Sequence, residues 1–317
     1  MTRYLLRRLL LAAITLWIVT AVIFFATHIL PGNVALRILG PFAEKNAIAS
    51  LNEELGLNRP LVTQYSEWIG SALRGDLGTS LKYNQPVTSI LFPALIYSLK
   101  LAVLAFVMLV PLSILGGIIA ALKRGKLVDR LITIGGLSAA MVPEFVWAVI
   151  LVLVFGIQIP LFPVTAIPKD GATIIGQIYP LILPAICLVL VLFGYVARIM
   201  RAGVIEAIDA DYTRTAILKG IPHRKVIRKH VLRNALLPTI AVIASQVSYL
   251  VGGLVAVEII FNYPGFGLAL RTSVTYRDFP LLQASVLIIA VIIILVQVLA
   301  DILFIVLNPR IRQSVVN

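Results

Sequence analysis

Cysteine is nearly absent from this 317-residue chain, and charge is scarce. The single Cys187 lies in an apolar run and excludes any intrachain disulfide. Three histidines stand without a clustered thiol or carboxylate: His28 ends an apolar run, and His223 and His230 sit in a basic segment. No metal site is expected from them. Charged residues make up 13% of the chain, where soluble proteins carry about 25%. Nucleotide-binding and hydrolytic signatures are missing too. Gly125-Lys126 is followed by Leu127 and lacks the upstream glycine of a phosphate loop, and no G-x-S-x-G elbow or H-E-x-x-H helix occurs. There is no internal repeat and no nucleophile with a partner base, so no catalytic residue is assigned.

What is abundant is hydrocarbon. The chain is 60% hydrophobic with a mean hydropathy of +1.01. A bilayer core takes about 20 apolar helical residues, and six stretches qualify: 9–30, 97–122, 131–157, 176–200, 236–261 and 281–307. Arg3, Arg7 and Arg8 precede the first, which reads as a retained signal anchor because its apolar run outlasts an ordinary signal peptide. The net charge of +13 could suggest a nucleic-acid partner. Its distribution argues otherwise. Alternate loops divide the charge +14 to +1, with the excess in 123–130, 198–233 and both termini. Such segregation is what orients a membrane protein, with the basic side and both ends in the cytoplasm. The fold class expected is all-α integral membrane, partnered by a lipid bilayer and not by nucleic acid.

Three segments between spans carry information. Residues 31–95 read as short outer helices joined by turns, with Pro60 opening one whose Leu61, Tyr65 and Trp68 share a face. Asn262-Tyr263-Pro264-Gly265-Phe266-Gly267 is a turn-rich outer loop. The segment Asp209–Gly220 reads as one short helix in the largest cytoplasmic loop. Asp209 is placed to cap it, Asp211 and Lys219 suit the two ends of the dipole, Gly220 can stop it and Pro222 can start the next. Two readings of this loop stay open: a stiff projection towards a partner, or a solvated connector.

Charges within spans are costly and point to function. Glu144, after Pro143 near the middle of the third span, could line a pathway or stay neutral or paired with a neighbouring subunit. Glu258 closes the fifth span; Asp301 is expected to pair with Arg310 or Arg312. Ser245, Gln246, Ser248 and Tyr249 form either a polar pathway face or interhelical hydrogen bonds.

The run Asp211-Tyr212, Arg214-Thr215-Ala216, Lys219-Gly220, followed by Arg233-Asn234-Ala235-Leu236-Leu237-Pro238, resembles the "EAA" loop of binding-protein-dependent ABC importer permeases. The dipeptide/oligopeptide-type subfamily is suggested by Leu55-Gly56-Leu57-Asn58-Arg59-Pro60-Leu61 with Gln64-Tyr65, by Gly75-Asp76-Leu77-Gly78-Thr79-Ser80, by Glu258 through Gly267, and by Asp301 with Asn308-Pro309-Arg310. The matches run in order along nearly the whole chain. Arg214 replaces the usual loop Glu, the spacing from Gly220 to Leu237-Pro238 is long, Asn308 stands where Asp is common, and Glu144 occupies a place expected to be apolar or small.

The resemblance implies six transmembrane helices of the type I importer architecture. It divides the chain into a signal-anchor helix with an extracytoplasmic segment (1–95) and a permease core (96–310) with its coupling loop at 201–235. It implies half of a solute pathway, with Asp211, Tyr212, Arg214, Thr215, Ala216, Lys219 and Gly220 contacting an ATPase. Glu258 is then a gate or loop-fixing residue. The implied partners are a second homologous permease, two cytoplasmic ATPase subunits carrying ATP and Mg, and an extracytoplasmic substrate-binding protein docking over 31–95 and Pro264–Gly267. This chain would hold no cofactor. Peptides are the default substrate, though nickel chelates, glutathione-like compounds, oligosaccharides and opine-like conjugates use permeases with similar motifs. The alternative is a self-sufficient secondary transporter or channel moving protons on Glu144 and Glu258, weakened by the absence of an inverted repeat. A membrane-bound enzyme lacks any catalytic constellation.

Overall fold

A computed structural model of the chain describes residues 2–29, 34–40, 42–54, 56, 58–167, 171 and 173–307. They form helices α1 (Thr2–Ile29), α2 (Val34–Leu39), α3 (Lys45–Glu54), α4 (Leu61–Leu73) and α5 (Val87–Leu122). The chain continues through α6 (Leu127–Ala140), α7 (Glu144–Gln158), α8 (Ile174–Asp209), α9 (Asp211–Leu218) and α10 (His223–Ile260). It ends with α11 (Phe266–Thr275) and α12 (Phe279–Leu307). The only extended pairing among the described residues is an isolated bridge from Thr79 to Pro86.

Five of these helices are long and apolar enough to cross a membrane, and the bent pair α6–α7 would make six. Several outrun their apolar cores: α5 and α8 have 36 residues each, about 54 Å at 1.5 Å per residue, against a hydrocarbon layer of about 30 Å. Exposed apolar side chains such as Leu10, Trp17 and Val22 on α1, and Leu295 and Leu299 on α12, suit a lipid solvent.

The third span departs from the straight helix expected over 131–157. α6 and α7 meet at 106° across Met141–Pro143. Pro143 supplies no N–H and biases the residue before it out of the helical region, so the ladder stops there. The Trp147 indole donates across the break to the Ala139 carbonyl at 2.9 Å.

The chain forms two compact units. One comprises residues 97–267 with the end of α12 from Leu295; the other comprises 2–96 with 268–294. In the first, α8 is the most enclosed span, packing Leu183, Leu188 and Leu192 with Leu101 and Leu109 of α5 and Leu250 and Leu254 of α10. Small residues permit the closest approaches, as expected where lipid removes the usual hydrophobic drive. Gly136 lies against Gly194, Gly117 against Ala197 and Met200, and Gly203 against Ala235.

In the second unit, Tyr65 and Trp68 of α4 pack on Phe24 of α1, with ring centroids 5.3 and 5.9 Å away. Tyr65 also shares a hydrogen bond of 2.8 Å with Thr20. Leu61, expected on that face, is exposed. Gln283 donates to Thr27 at 2.6 Å, tying α12 to α1. The turn after Gly75-Asp76-Leu77-Gly78 is fixed by Asp278, a fully buried carboxylate. It accepts the Ser80 hydroxyl at 2.5 Å and the Lys82 N–H at 3.2 Å. The Lys82 ammonium sits 3.5 Å from the centre of the Tyr276 ring.

Candidate functional site

Two places gather the residues singled out in the sequence. The first is α9, set between the long helices α8 and α10. The structure corrects its N-terminus. Asp209 is the last residue of α8 and makes an exposed ion pair with Arg124 at 3.5 Å; it does not cap α9. The N-cap is Ala210, extended at φ −74° and ψ 147°, with no side-chain cap. α8 runs on to the chain reversal at Ala210, which leaves Asp209 no cap position. Asp211 does lie in the first turn, at the positive end of the dipole.

The C-terminal end forms as the sequence suggests. Gly220 is left-handed at φ +74°. Its N–H donates to the Ile217 carbonyl at 2.9 Å, and the Ile221 N–H donates to Ala216 at 3.3 Å. This is the paired bonding of a Schellman motif, with Lys219 at the C-cap.

α9 turns Thr213 and Ala216 inward. The Thr213 hydroxyl donates to the Ala207 carbonyl at 2.6 Å, pinning the short helix to the end of α8. Arg214, Thr215 and Lys219 stay exposed. So do Tyr212, Ile217 and Leu218, the last at 81% exposure. Three large apolar side chains bared on so short a helix have the character of a contact surface.

The second place is the elbow between α6 and α7. Glu144 opens α7 and lies half-buried beside Gly253 of α10. With Leu188, Val191, Leu192, Tyr249 and Leu250 they enclose a cavity of about 10 Å³, the room of one water molecule. Among the described residues none forms a hydrogen bond or ion pair with the Glu144 carboxylate. Ser245 and Tyr249 are exposed one turn apart on α10, and Gln246 beside them is half-buried.

The structure thus brings Glu144 and Tyr249 together, with Ser245 along the same face. Ser248 turns elsewhere and donates to Gln297 of α12 at 3.4 Å, the interhelical bond anticipated as the alternative. The Gln297 amide reaches Asp301 at 3.5 Å; Arg310 and Arg312, the partners expected for Asp301, lie outside the described residues, as do Asn308, Leu55 and Leu57.

Glu258 sits apart from this group. It is fully buried and accepts the Gly267 N–H at 2.6 Å. Ser98 accepts the Phe266 N–H alongside, at 2.8 Å. A β-carbon on Gly265 would fall on the Glu258 carboxylate, so this loop needs glycine there. Here the carboxylate fixes the 262–267 loop.

Sequence reasoning missed one cluster. Asp129, in the first turn of α6, accepts both Arg201 Nε at 2.6 Å and Nη2 at 2.8 Å. It also accepts the Gly125 N–H at 2.9 Å and the Thr133 hydroxyl at 3.1 Å. The available signal was that Asp129 is the lone acid in the basic turn 123–130. No group of three or more metal-ligating side chains occurs among the described residues.

Long apolar helices, one broken span and a short helix with a sharply defined stop between two spans define, over the described residues, a helical multi-pass membrane protein. The chain belongs to the family of binding-protein-dependent transport system inner membrane components, whose profile matches residues 113–313; the N-terminal profile of the same family matches 1–102. It is therefore a permease subunit of an ATP-driven, binding-protein-dependent ABC importer of the peptide type, located in the inner membrane.

Its relatives include the glutathione transport system permease protein GsiC of Escherichia coli O6:H1, 35% identical over 99% of this chain and 100% of the relative. The dipeptide transport system permease protein DppB of Alkalihalophilus pseudofirmus is 34% identical over 98% and 100%. Among solved structures, an amino acid ABC transporter crystallised with histidines aligns with a TM-score of 0.51. It is 20% identical and covers 68% of this chain and 94% of that one, a likeness of fold: the type I permease architecture. The self-sufficient transporter alternative is not favoured.

Proposed function

We propose that the chain forms half of a transmembrane pathway for peptides or small peptide-like solutes such as glutathione, beside a second, homologous permease subunit. Two cytoplasmic ATPase subunits hold the ATP and Mg, and an extracytoplasmic binding protein delivers the solute. The chain itself carries no catalytic residue and no cofactor. The names of its relatives, a glutathione and a dipeptide transport system permease, support this class. The observation that carries the coupling assignment is α9: stopped by Gly220, pinned at Thr213, and baring Tyr212, Ile217 and Leu218 where an ATPase groove would receive them. Asp211, Arg214, Thr215, Ala216, Lys219 and Gly220 complete that helix and its stop.

The test is purification and reconstitution. The chain should co-purify with two ATPase chains and a second permease. Uptake into proteoliposomes should need ATP and the binding protein together. Uptake by this chain alone, driven by a proton gradient, would overturn the reading.

Residues 1–95 serve as anchor and extracytoplasmic segment, and 96–310 as permease core, with both termini cytoplasmic. The +14 to +1 charge division motivates this orientation. A periplasm-active reporter fused near Asn46 should work and one near Ala210 should not; the opposite pattern would invert the topology.

Glu144 lines the pathway with Tyr249, Ser245 and Gln246, while Glu258 holds the outer loop or gate. A carboxylate facing lipid would cost about 2.5–3.5 kcal/mol, whereas at the elbow it meets the positive end of α7 and the small cavity it shares with Tyr249. Glu144→Gln keeps the shape and removes the charge. Uptake rate or preference between cationic and anionic peptides should shift about fivefold, the effect of roughly 1 kcal/mol. Unchanged rate and preference would leave Glu144 a packing residue.

A further inference from the structure

α6 is held to α8 at two points. At one, the backbones of Gly136 and Gly194 touch, so closely that a β-carbon on either would meet the other. At the other, Asp129 grips Arg201 with both carboxylate oxygens, at 2.6 and 2.8 Å. Along each helix the two points lie seven residues apart, about two turns. The carboxylate side chain is 7% exposed, and its remaining acceptor positions are filled by Gly125 and Thr133. A backbone contact together with a bidentate bond removes both sliding and rotation between the two helices. α6 and the second half of α8 therefore form one rigid arm. At one end the arm carries α9, pinned through Thr213 to Ala207. At the other end, a turn beyond Gly136, is the elbow at Met141–Pro143, with Glu144 immediately after it.

We propose that the Asp129–Arg201 pair is a positioning clasp for transport: it stays closed through the cycle and makes displacement of α9 arrive at the α6–α7 elbow as rotation of one body. Without it, α6 pivots on the Gly136–Gly194 contact and the displacement is lost before it reaches Glu144. Rigid elements with few joints carry such coupling, and the joint left free here is the elbow. The clasp rests on the importer reading, but its test is separable from it.

The experiment uses the full importer in proteoliposomes, wild type and Asp129→Cys/Arg201→Cys. The double substitution removes both charges, so no unpaired ion stays buried. Before cross-linking, the ATPases should remain bound and hydrolysis should continue, while solute transported per ATP falls about tenfold, within the range of coupling effects. Bridging the two thiols with a bis-methanethiosulfonate should restore the ratio, and reductant should abolish it again. This chain's own Cys187 is buried, and the wild-type complex treated in parallel sets the baseline against which the restored ratio is read.

An unchanged ratio before bridging, or a ratio that bridging leaves low, overturns the clasp. If the double variant does not assemble, Arg201→Lys keeps the charge but loses the two-pronged grip. It should show normal assembly and a reduced ratio, and a normal ratio would overturn the proposal equally. Failure of the wild-type complex to couple ATP to uptake would instead strike the importer reading.

Discussion

Gly220→Val should leave the chain inserted and abundant but strip it of ATPase subunits or of their stimulation by loaded binding protein. At φ +74° the position is left-handed, which costs an ordinary residue about 1–2 kcal/mol and a β-branched one more. The Schellman bonds from Gly220 and Ile221 would open, and the last turn of α9, with Ile217 and Leu218, would fray. Among the described residues, its two chain neighbours aside, a β-carbon there would meet nothing within 4 Å. A steric effect of the β-carbon beyond backbone strain would therefore point to a partner. Gly220→Asn separates the two causes, because Asn tolerates the left-handed region. Retained coupling in Asn with loss in Val assigns the defect to the helix stop; loss in both assigns it to a tight partner surface. Normal ATPase co-purification and normal stimulated hydrolysis in Gly220→Val would remove α9 from the coupling role.

Gly194→Val should have the largest effect on folding. A β-carbon at Gly194 falls on the backbone carbonyl group of Gly136 and within 2.7 Å of the Leu137 nitrogen. Backbone has no rotamer through which to yield, so α6 and α8 must separate. Overpacking of this kind costs typically 1–3 kcal/mol and occasionally more. By contrast, Gly252 has open space around its β-carbon position, and Gly252→Ala should be nearly neutral. Cys187 supplies the readout. It is buried and is the only cysteine, so a thiol-reactive fluorophore reports unfolding. Gly194→Val should lower the midpoint of that transition by several degrees or more, or prevent recovery of folded protein. A midpoint equal to wild type would show that the helices do not meet as closely as described.

The places of the spans were legible because twenty apolar residues admit few explanations in a chain this poor in charge. Their lengths were not. α8 extends to Asp209 through Arg201 and Glu206, residues that hydropathy assigns to a loop although nothing there breaks a helix. The same misplacement hid Asp209. Once α8 reaches it, it can no longer begin α9. Gly220 was readable because a left-handed stop has a one-residue signature. The break in the third span went unread, although a proline inside an apolar run is the signal for one; its angle of 106° depends on the packing of α7 against α8 and α10.

Arg201 and Asp129 were counted only as orienting charges. They are 72 residues apart, and no local pattern marks such a pair. Glu144 and Tyr249 could each be flagged alone, but their convergence on one cavity is a fact of three packed helices.

The buried Asp278 has a consequence for biosynthesis. Ser80, whose hydroxyl it accepts, is made 198 residues earlier. At a synthesis rate of about 5–20 residues per second, the acceptor follows the donor by about 10–40 s. Throughout that interval the turn at 75–86 has emerged with its anchor still unmade. It locks only when α12 begins. Chains stalled or truncated before Asp278 should be cut by protease in this turn while full-length chains resist.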